Sequence, residues 1–233
     1  QPLAVIVSVA ALIGAVPYIA LQLKAISASV IAVLTVYGTS TAPALDPAAI
    51  ALWVALLLAV FSILYGTRHV NAMEHQSGLM LAIAAESFIK LLAFFAVGIF
   101  VTWVMFGGVG DLVMRAEEAN LLARFQNSPD IATLATFTVL SFFCAFLLPR
   151  QFHVTIVENM GDREIRHAAW LVPLYMVAIN LFVVPMALAG MLMFGDGPVP
   201  PDMYVLNLPM MVDSHLFVLA AFIGGLSAAT AMV

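Results

Sequence analysis

The sequence predicts an all-α integral membrane protein, and its composition is the main reason. Hydrophobic residues make up 64% of the 233 residues and charged residues only 9%, whereas soluble domains average about 45–50% and about 25%. The mean hydropathy is +1.10. A soluble fold of this size could not cover so much apolar surface with polar side chains. We therefore expect the lipid bilayer to surround the chain.

The charge balance excludes one class of partner. The net charge is −5, and phosphate binding requires clustered Lys and Arg, so nucleic acid is not an expected partner. The single cysteine, Cys144, allows neither an intrachain disulfide nor a cysteine-based zinc site. The histidines lack zinc-site spacing with a third ligand, and no hydrolase or P-loop motif occurs. The sequence therefore predicts no metal site, no cofactor and no enzyme chemistry within this chain.

Six stretches are apolar and have a length near the roughly 20 residues that a helix needs to cross a bilayer. They do not alternate polar and apolar residues as membrane β-strands do, so helices are the structure that satisfies the backbone in lipid. Apolar sequence starts at Gln1 and is still running at Val233. We read the chain as a single polytopic membrane domain over residues 1–233, truncated at both ends. The predicted spans are residues 3–37, 48–65, 78–106, 131–148, 168–194 and 214–233.

The connections between these spans contain turn-forming residues. TSTAP at 39–43 and GDGP at 195–198 are typical of turns, and GGVG at 107–110 ends the third span. The polar segment 111–127 fits either a short amphipathic surface helix or a plain loop, and the residues favour neither. Residues 195–213 are predicted to be a connecting loop.

Arginines in the loops predict the orientation, because cytoplasmic loops carry an excess of Lys and Arg. Loops 66–77 and 149–167 lie on one side of the predicted membrane, and loops 38–47, 107–130 and 195–213 lie on the other. The first side carries Arg68, Arg150, Arg163 and Arg166, and the second carries Arg115 and Arg124. The bias places Gln1 in the cytoplasm and the acidic loop 107–130 outside.

Charged residues within the predicted spans are candidates for function, because charge in a span is costly. Glu86 and Lys90 are four residues apart in the third span, which places them on one helix face in the favourable order. They form either a self-neutralising pair that faces other helices or part of a cation or proton path. Lys24, in the first span, is expected to snorkel to the membrane surface or to form a structural ion pair.

The sixth span contains small and hydroxyl-bearing residues. Gly224 and Gly225 indicate close packing against a neighbouring helix. Ser227 and Thr230 share a helix face. Their hydroxyls could supply part of the oxygen shell of a cation such as Na⁺, or each could bond back to its own helix.

Three segments resemble a known family. QFHVTIVENM at 151–160, followed by Asp162, Arg166 and AAW at 168–170, resembles the solute:sodium symporter family, in which Gln-Pro-His precedes a short basic cytoplasmic loop. Phe152 stands where that family has proline. The segment from YGTRHVNAME at 65–74 to AAESFIK at 84–90 resembles one branch, as does the end of the chain with GGLSAAT at 224–230. In that branch the domain is the N-terminal part of a bacterial sensor histidine kinase responding to amino acids such as histidine.

The resemblance covers nearly the whole chain and implies the leucine-transporter-type fold of two inverted five-helix repeats. The six predicted spans would be the third to eighth of ten core helices in a multi-pass protein of the bacterial inner membrane. The discontinuous first core helix would lie upstream of Gln1.

Site residues follow from the same resemblance. Glu86 matches an acidic residue on the cation route, with Lys90 one turn on. Ser227 matches the first of two adjacent hydroxyl ligands of Na⁺, but Ala228 stands at the second, which weakens a Na⁺ site. The coupling ion, Na⁺ or H⁺, therefore stays open. Offset from Gln151 places the substrate near the unwound centre of the fourth span, and the expected substrate-binding residues are Cys144, Leu147, Leu148 and Gln151.

Three functions are compatible with these residues. The first is a transporter-like domain that binds and transports an amino acid and acts as the sensory input of a downstream kinase domain, so that the full-length parent would be a sensor histidine kinase. The second is a stand-alone cation-coupled symporter without a kinase. The third is a membrane scaffold that does not transport. The segment at 65–90 favours the first, and Ala228 counts against the usual Na⁺-coupled form of the second.

Overall fold

A computed structural model describes residues 2–38, 46–65, 77–125, 130–147, 152, 155–156, 158–159, 161–195 and 197–230. Within these ranges the regular structure is helical throughout. The helices are α1 (Pro2–Tyr37), α2 (Pro47–Tyr65), α3 (Ser77–Ile99), α4 (Val109–Glu118), α5 (Ile131–Leu147), α6 (Asp162–Asn180), α7 (Val183–Phe194), α8 (Tyr204–Met211) and α9 (His215–Thr230). Short 3₁₀ turns cover Leu121–Phe125 and Pro201–Met203.

The first two helices pack against each other. α1 is a single helix of 36 residues that runs through Pro17, so it is about 54 Å long and exceeds the roughly 30 Å of a hydrocarbon core. It packs against α2, with Ile26 and Leu58 buried between them. Lys24 lies two residues before Ile26 and is exposed.

The helical backbone does not end with the last residue of α3, Ile99. It continues as a π-helical turn over Phe100–Met105, after which Gly108 adopts a φ of +118° that disfavours any residue with a Cβ. This turn leads directly into α4, a helix whose buried side chains Leu112 and Ala116 are four residues apart. Of the two alternatives for the polar segment, the structure therefore has the amphipathic helix over its first part.

The predicted fifth span consists of two helices. A turn at Leu181–Phe182 separates α6 from α7, and the Phe182 ring occupies the space that a side chain at Gly98 would need.

The prediction of a connecting loop over 195–213 is wrong in part, since Tyr204–Met211 is the helix α8. The Tyr204 ring occupies the space that a side chain at Gly190 of α7 would need. Five of the eight residues of α8 are buried, and a helix of this length is far shorter than the roughly 20 residues by which hydropathy identifies a span.

The main core lies where the C-terminal half of α3 meets four other helices. α3 packs most extensively against α9, and α8 and α7 close the same region, with α4 against α7. The largest fully buried side chains in it are Val97, Val101, Thr102, Leu112, Leu208 and Pro209. This cluster fixes the relative positions of α3, α8 and α9, the elements on which the candidate site is built.

Most of the remaining surface is apolar. Ile131 is 85% exposed and Trp170 80% exposed, and such extensive apolar exposure is typical of a surface that faces lipid rather than water. Three helical stretches are long and apolar enough to cross a membrane, by length and composition: Val5–Tyr37, Met80–Met105 and Asp162–Phe194. Helices also cover the other three predicted spans, at Pro47–Val60, Ile131–Cys144 and His215–Ser227, but these apolar segments are shorter. Six spans thus remain a prediction.

Candidate functional site between α3 and α9

Helices α3 and α9 approach each other closely at Gly224. A Cβ added to Gly224 would lie 2.8 Å from the Cβ of Ala93, which is shorter than ordinary van der Waals contact. By contrast, a Cβ on the adjacent Gly225 would meet no heavy atom within 4 Å. Small residues allow helix backbones to approach in this way. The predicted close packing of the sixth span is thus found at Gly224.

A polar contact lies one turn further along the same interface. The Ser227 hydroxyl donates a hydrogen bond of 3.1 Å to the backbone carbonyl of Glu86. Ser227 is only 9% exposed, and Glu86 is partly buried. The structure therefore brings the Ser227 hydroxyl to the backbone of Glu86, a residue far away in sequence.

Lys90, one turn beyond Glu86 on α3, lines a cavity of about 380 Å³. This volume is near the lower end of the roughly 300–1,000 Å³ typical of ligand pockets. Four helices and the 3₁₀ turn before α8 contribute to its wall besides α3. The lining residues are Ser29, Lys90, Ala93, Phe94, Tyr175, Ile179, Asp202, Met203, Val205, Leu206, Ala221, Gly224 and Gly225.

The cavity has few polar side chains. The Ser29 hydroxyl donates to the carbonyl of Ala25 at 2.9 Å, and the Tyr175 hydroxyl donates to the carbonyl of Ser87 at 3.3 Å. Both hydroxyls thus donate their hydrogens to backbone. The charged groups that remain are the ammonium of Lys90 and the carboxylate of Asp202, which project from α3 and from the 3₁₀ turn.

The other predicted site residues are not gathered here. Cys144 is exposed on α5 and is not among the residues that line the cavity. Leu147 lies at the end of α5 and Thr230 at the end of α9, but their side chains lie outside the described residues, as do Leu148 and Gln151 altogether. Their predicted roles in binding substrate or cation stay predictions.

Sequence reasoning missed Asp202, Tyr175 and Ser29. Asp202 follows Pro200 and Pro201 in the predicted connecting loop. Its signal would have been a carboxylate immediately before an apolar run, Tyr204–Met211. Tyr175 and Ser29 lie in apolar spans where a single hydroxyl is common, so the sequence contained no signal that separated them from their neighbours.

A charged cluster stabilises the turn at the far end of α3. The Asp111 carboxylate accepts hydrogen bonds from the Gly107 backbone N–H at 3.1 Å and from the Arg115 Nε at 2.9 Å. These bonds, the Gly107 bond first, hold the pKa of Asp111 below its ordinary value. Arg115 also lies over the Phe106 ring, 5.6 Å from its centroid. This cluster has a structural role, since it joins the π-helical turn to α4.

Within the described ranges, no three His, Cys, Asp or Glu side chains converge where they could hold a metal ion. Comparison with known proteins does not extend the assignment: no family model, no curated protein and no solved structure matches the chain. The site is thus defined by its own chemistry, which is a polar contact between two apolar helices beside a small cavity with one cationic and one anionic side chain.

Proposed function

We propose that this domain binds an amino acid in the cavity beside Lys90 and transports it, and that a downstream histidine kinase domain reads its state. The observation that carries the proposal is the position of Lys90 on the cavity wall, one turn from the Glu86–Ser227 contact. A small solute and a coupling cation would thus have adjacent sites. The resemblance of residues 65–90 to the sensor-kinase branch supports the kinase part.

The fold and membrane topology belong to the same proposal. The inverted repeat of leucine-transporter type would place ligand sites between helices near the bilayer midplane, and the α3–α9 interface is such a place. With Gln1 in the cytoplasm, α3 runs outward. Glu86 would then lie about 6 Å further from the outer surface than Lys90, since the two are four residues apart on the helix. A solute entering from outside would meet Lys90 before it reached Glu86. We assign the domain to the bacterial inner membrane on the resemblance alone.

The second candidate is a stand-alone cation-coupled symporter, which would use the same contact of Glu86 with Ser227. Ala228 at the expected second hydroxyl position favours proton coupling, or sensing, over Na⁺ coupling in either case. A carboxylate that exchanges a proton during the cycle would suffice, because H⁺ requires no oxygen shell.

The test is uptake of a panel of labelled amino acids by cells that produce the full-length protein. Uptake above that of cells with an empty vector would support transport. Uptake that survives replacement of Na⁺ by choline and falls with a protonophore would identify H⁺ as the coupling ion. Dependence on Na⁺ would assign Na⁺ instead. Absence of both uptake and binding for the whole panel would leave a membrane scaffold as the function.

A further inference from the structure

We infer that Lys90 and Asp202 recognise the carboxylate and the ammonium on the α-carbon of a zwitterionic amino acid, and that the cavity selects an apolar side chain. In this arrangement the Lys90 ammonium binds the ligand carboxylate and the Asp202 carboxylate binds the ligand ammonium. The inference rests on the proposed function, since it names the substrate class and the recognition residues of the same cavity. It differs from histidine, the amino acid that the resemblance suggests.

The first support is the placement of the two charges. Lys90 lies on α3 and Asp202 on the 3₁₀ turn before α8, yet both line one cavity. The salt bridges found within the described ranges join Asp111 to Arg115 and Asp213 to His215, so Lys90 and Asp202 do not neutralise each other directly. Opposite charges that face one cavity without meeting leave room for a ligand that carries both. Charge-assisted hydrogen bonds to each end would give such a ligand its orientation.

The second support is the chemistry of the remaining wall. Phe94, Met203, Val205, Leu206 and Ala221 are apolar, and Gly224 and Gly225 add no side chain. A polar ligand side chain placed against this wall would lose its hydrogen bonds to water without replacement, which is unfavourable. The Ser29 and Tyr175 hydroxyls already donate their hydrogens to backbone carbonyls, so toward a ligand they can act only as acceptors. An apolar side chain would instead gain by leaving water.

The third support is the position of Asp202. It is exposed, and Lys90 is partly buried, so the anionic group of the cavity is more accessible to solvent than the cationic group. A ligand would therefore enter with its carboxylate first. Its carboxylate would reach Lys90, and its side chain would lie along the apolar wall.

The experiment measures binding of tritiated probes by equilibrium dialysis, using the full-length protein in lipid nanodiscs. The probes are L-leucine, L-histidine, 4-methylpentanoate, which lacks the ammonium, and 3-methylbutylamine, which lacks the carboxylate. We expect L-leucine to bind best. The two probes that lack a charged group should bind about 10- to 100-fold more weakly, the range for loss of a hydrogen bond to a charged group. L-histidine should also bind more weakly than L-leucine, because its imidazole would lose hydrogen bonds to water against the apolar wall.

The variants are Lys90→Gln and Asp202→Asn, each with a matched control that removes an exposed charge outside the cavity. Lys90→Gln should weaken the binding of L-leucine about 10- to 100-fold. It should leave the binding of 3-methylbutylamine unchanged, because that probe has no carboxylate. Asp202→Asn should weaken the binding of L-leucine to a similar extent and leave the binding of 4-methylpentanoate unchanged. The controls Lys24→Gln and Asp213→Asn should bind L-leucine like the wild type. Retained binding of the truncated probe also shows that each variant is folded.

Three results would overturn all or part of the inference, and they are distinguishable. If the wild type binds L-leucine and both cavity variants bind it equally well, the amino acid binds elsewhere and only this inference fails. If the wild type binds none of the probes and takes up no amino acid in cells, the proposed function fails with it. Equal binding of L-histidine and L-leucine would overturn the selection of an apolar side chain.

Discussion

The Ser227 hydroxyl on α9 donates a hydrogen bond to the Glu86 carbonyl on α3 across 3.1 Å, although 141 positions of sequence separate the two residues. Serines of α1 and α3 bond back to carbonyls four residues earlier in their own helix, as Ser27 and Ser87 do. The Ser227 hydroxyl reaches the neighbouring helix. The hydrogen bond thus joins two of the helices that line the cavity of the candidate site.

Replacing Ser227 by alanine should destabilise the protein by about 0.5–1.5 kcal/mol, the net value of one hydrogen bond including those between membrane helices. The measurement is denaturant unfolding in mild detergent. Ser29→Ala is the matched control, since its hydroxyl bonds within α1, and it should change stability less. Equal stabilities of the Ser227 variant and the wild type would show that the interhelical bond contributes nothing.

Replacing Gly224 by alanine should destabilise the protein more than replacing Ser227 does. The added methyl group would lie 2.8 Å from the Ala93 Cβ, so α9 must move away from α3, and overpacking of this kind costs about 1–3 kcal/mol. Gly225→Ala is the neighbouring control, because its methyl group enters open space. The thermal midpoint of each variant in detergent checks the prediction, which is contradicted if both variants shift by the same amount.

Glu86→Gln tests the coupling role of the carboxylate. We expect this variant to be produced and inserted normally but to lose amino-acid uptake, because an amide cannot carry the charge or exchange the proton of a coupling site. Glu118→Gln on α4, which removes an exposed carboxylate far from the cavity, should transport normally. Normal uptake by the Glu86 variant would refute the role.

The turn between α3 and α4 should lose stability in acid. Its hydrogen bonds hold the pKa of Asp111 below the ordinary value. The stabilisation is therefore complete above the pKa of the unfolded state, about 3.9 for Asp, and is lost as the pH falls through the lower folded value. Asp111→Asn should lower the thermal midpoint at pH 7 and approach the wild type below about pH 4. A difference that does not change with pH would exclude the charged form as the cause.

The predicted orientation is tested by accessible cysteines in a Cys144→Ser background. A cysteine at Gly161 should react with an impermeant maleimide only from the cytoplasm. A cysteine at Glu117, an exposed position on α4, should react only from outside. Labelling of both positions from one side would mean that the number of spans between them differs from the predicted one.

The sequence predicted the positions of the long helices well, because hydropathy is a local property that persists over a whole span. The ends of α2 and α5 fall within one residue of the predicted ends, and α1 begins and ends where expected apart from one residue. The break between α6 and α7 was not predicted, since Leu181 and Phe182 are as apolar as their neighbours. Packing of the Phe182 ring against Gly98 sets its position.

The candidate site was predicted only in part. Charge within an apolar run identified Glu86 and Lys90, and hydroxyl spacing identified Ser227, because each is unusual in its own segment. Asp202 is an ordinary loop residue by sequence. It becomes notable only because α8 folds against α7 and α9 and so places the preceding turn on the same cavity as Lys90.

The sequence by itself determined that this protein is a bundle of apolar helices and which of those helices carry polar residues, since both follow from composition and spacing along the chain. Only the tertiary structure decided which polar residues meet. Gly224 lets α9 approach Ala93 of α3, and this approach brings Ser227 within hydrogen-bonding distance of Glu86. Such meetings depend on the distance between two surfaces, which no local pattern encodes.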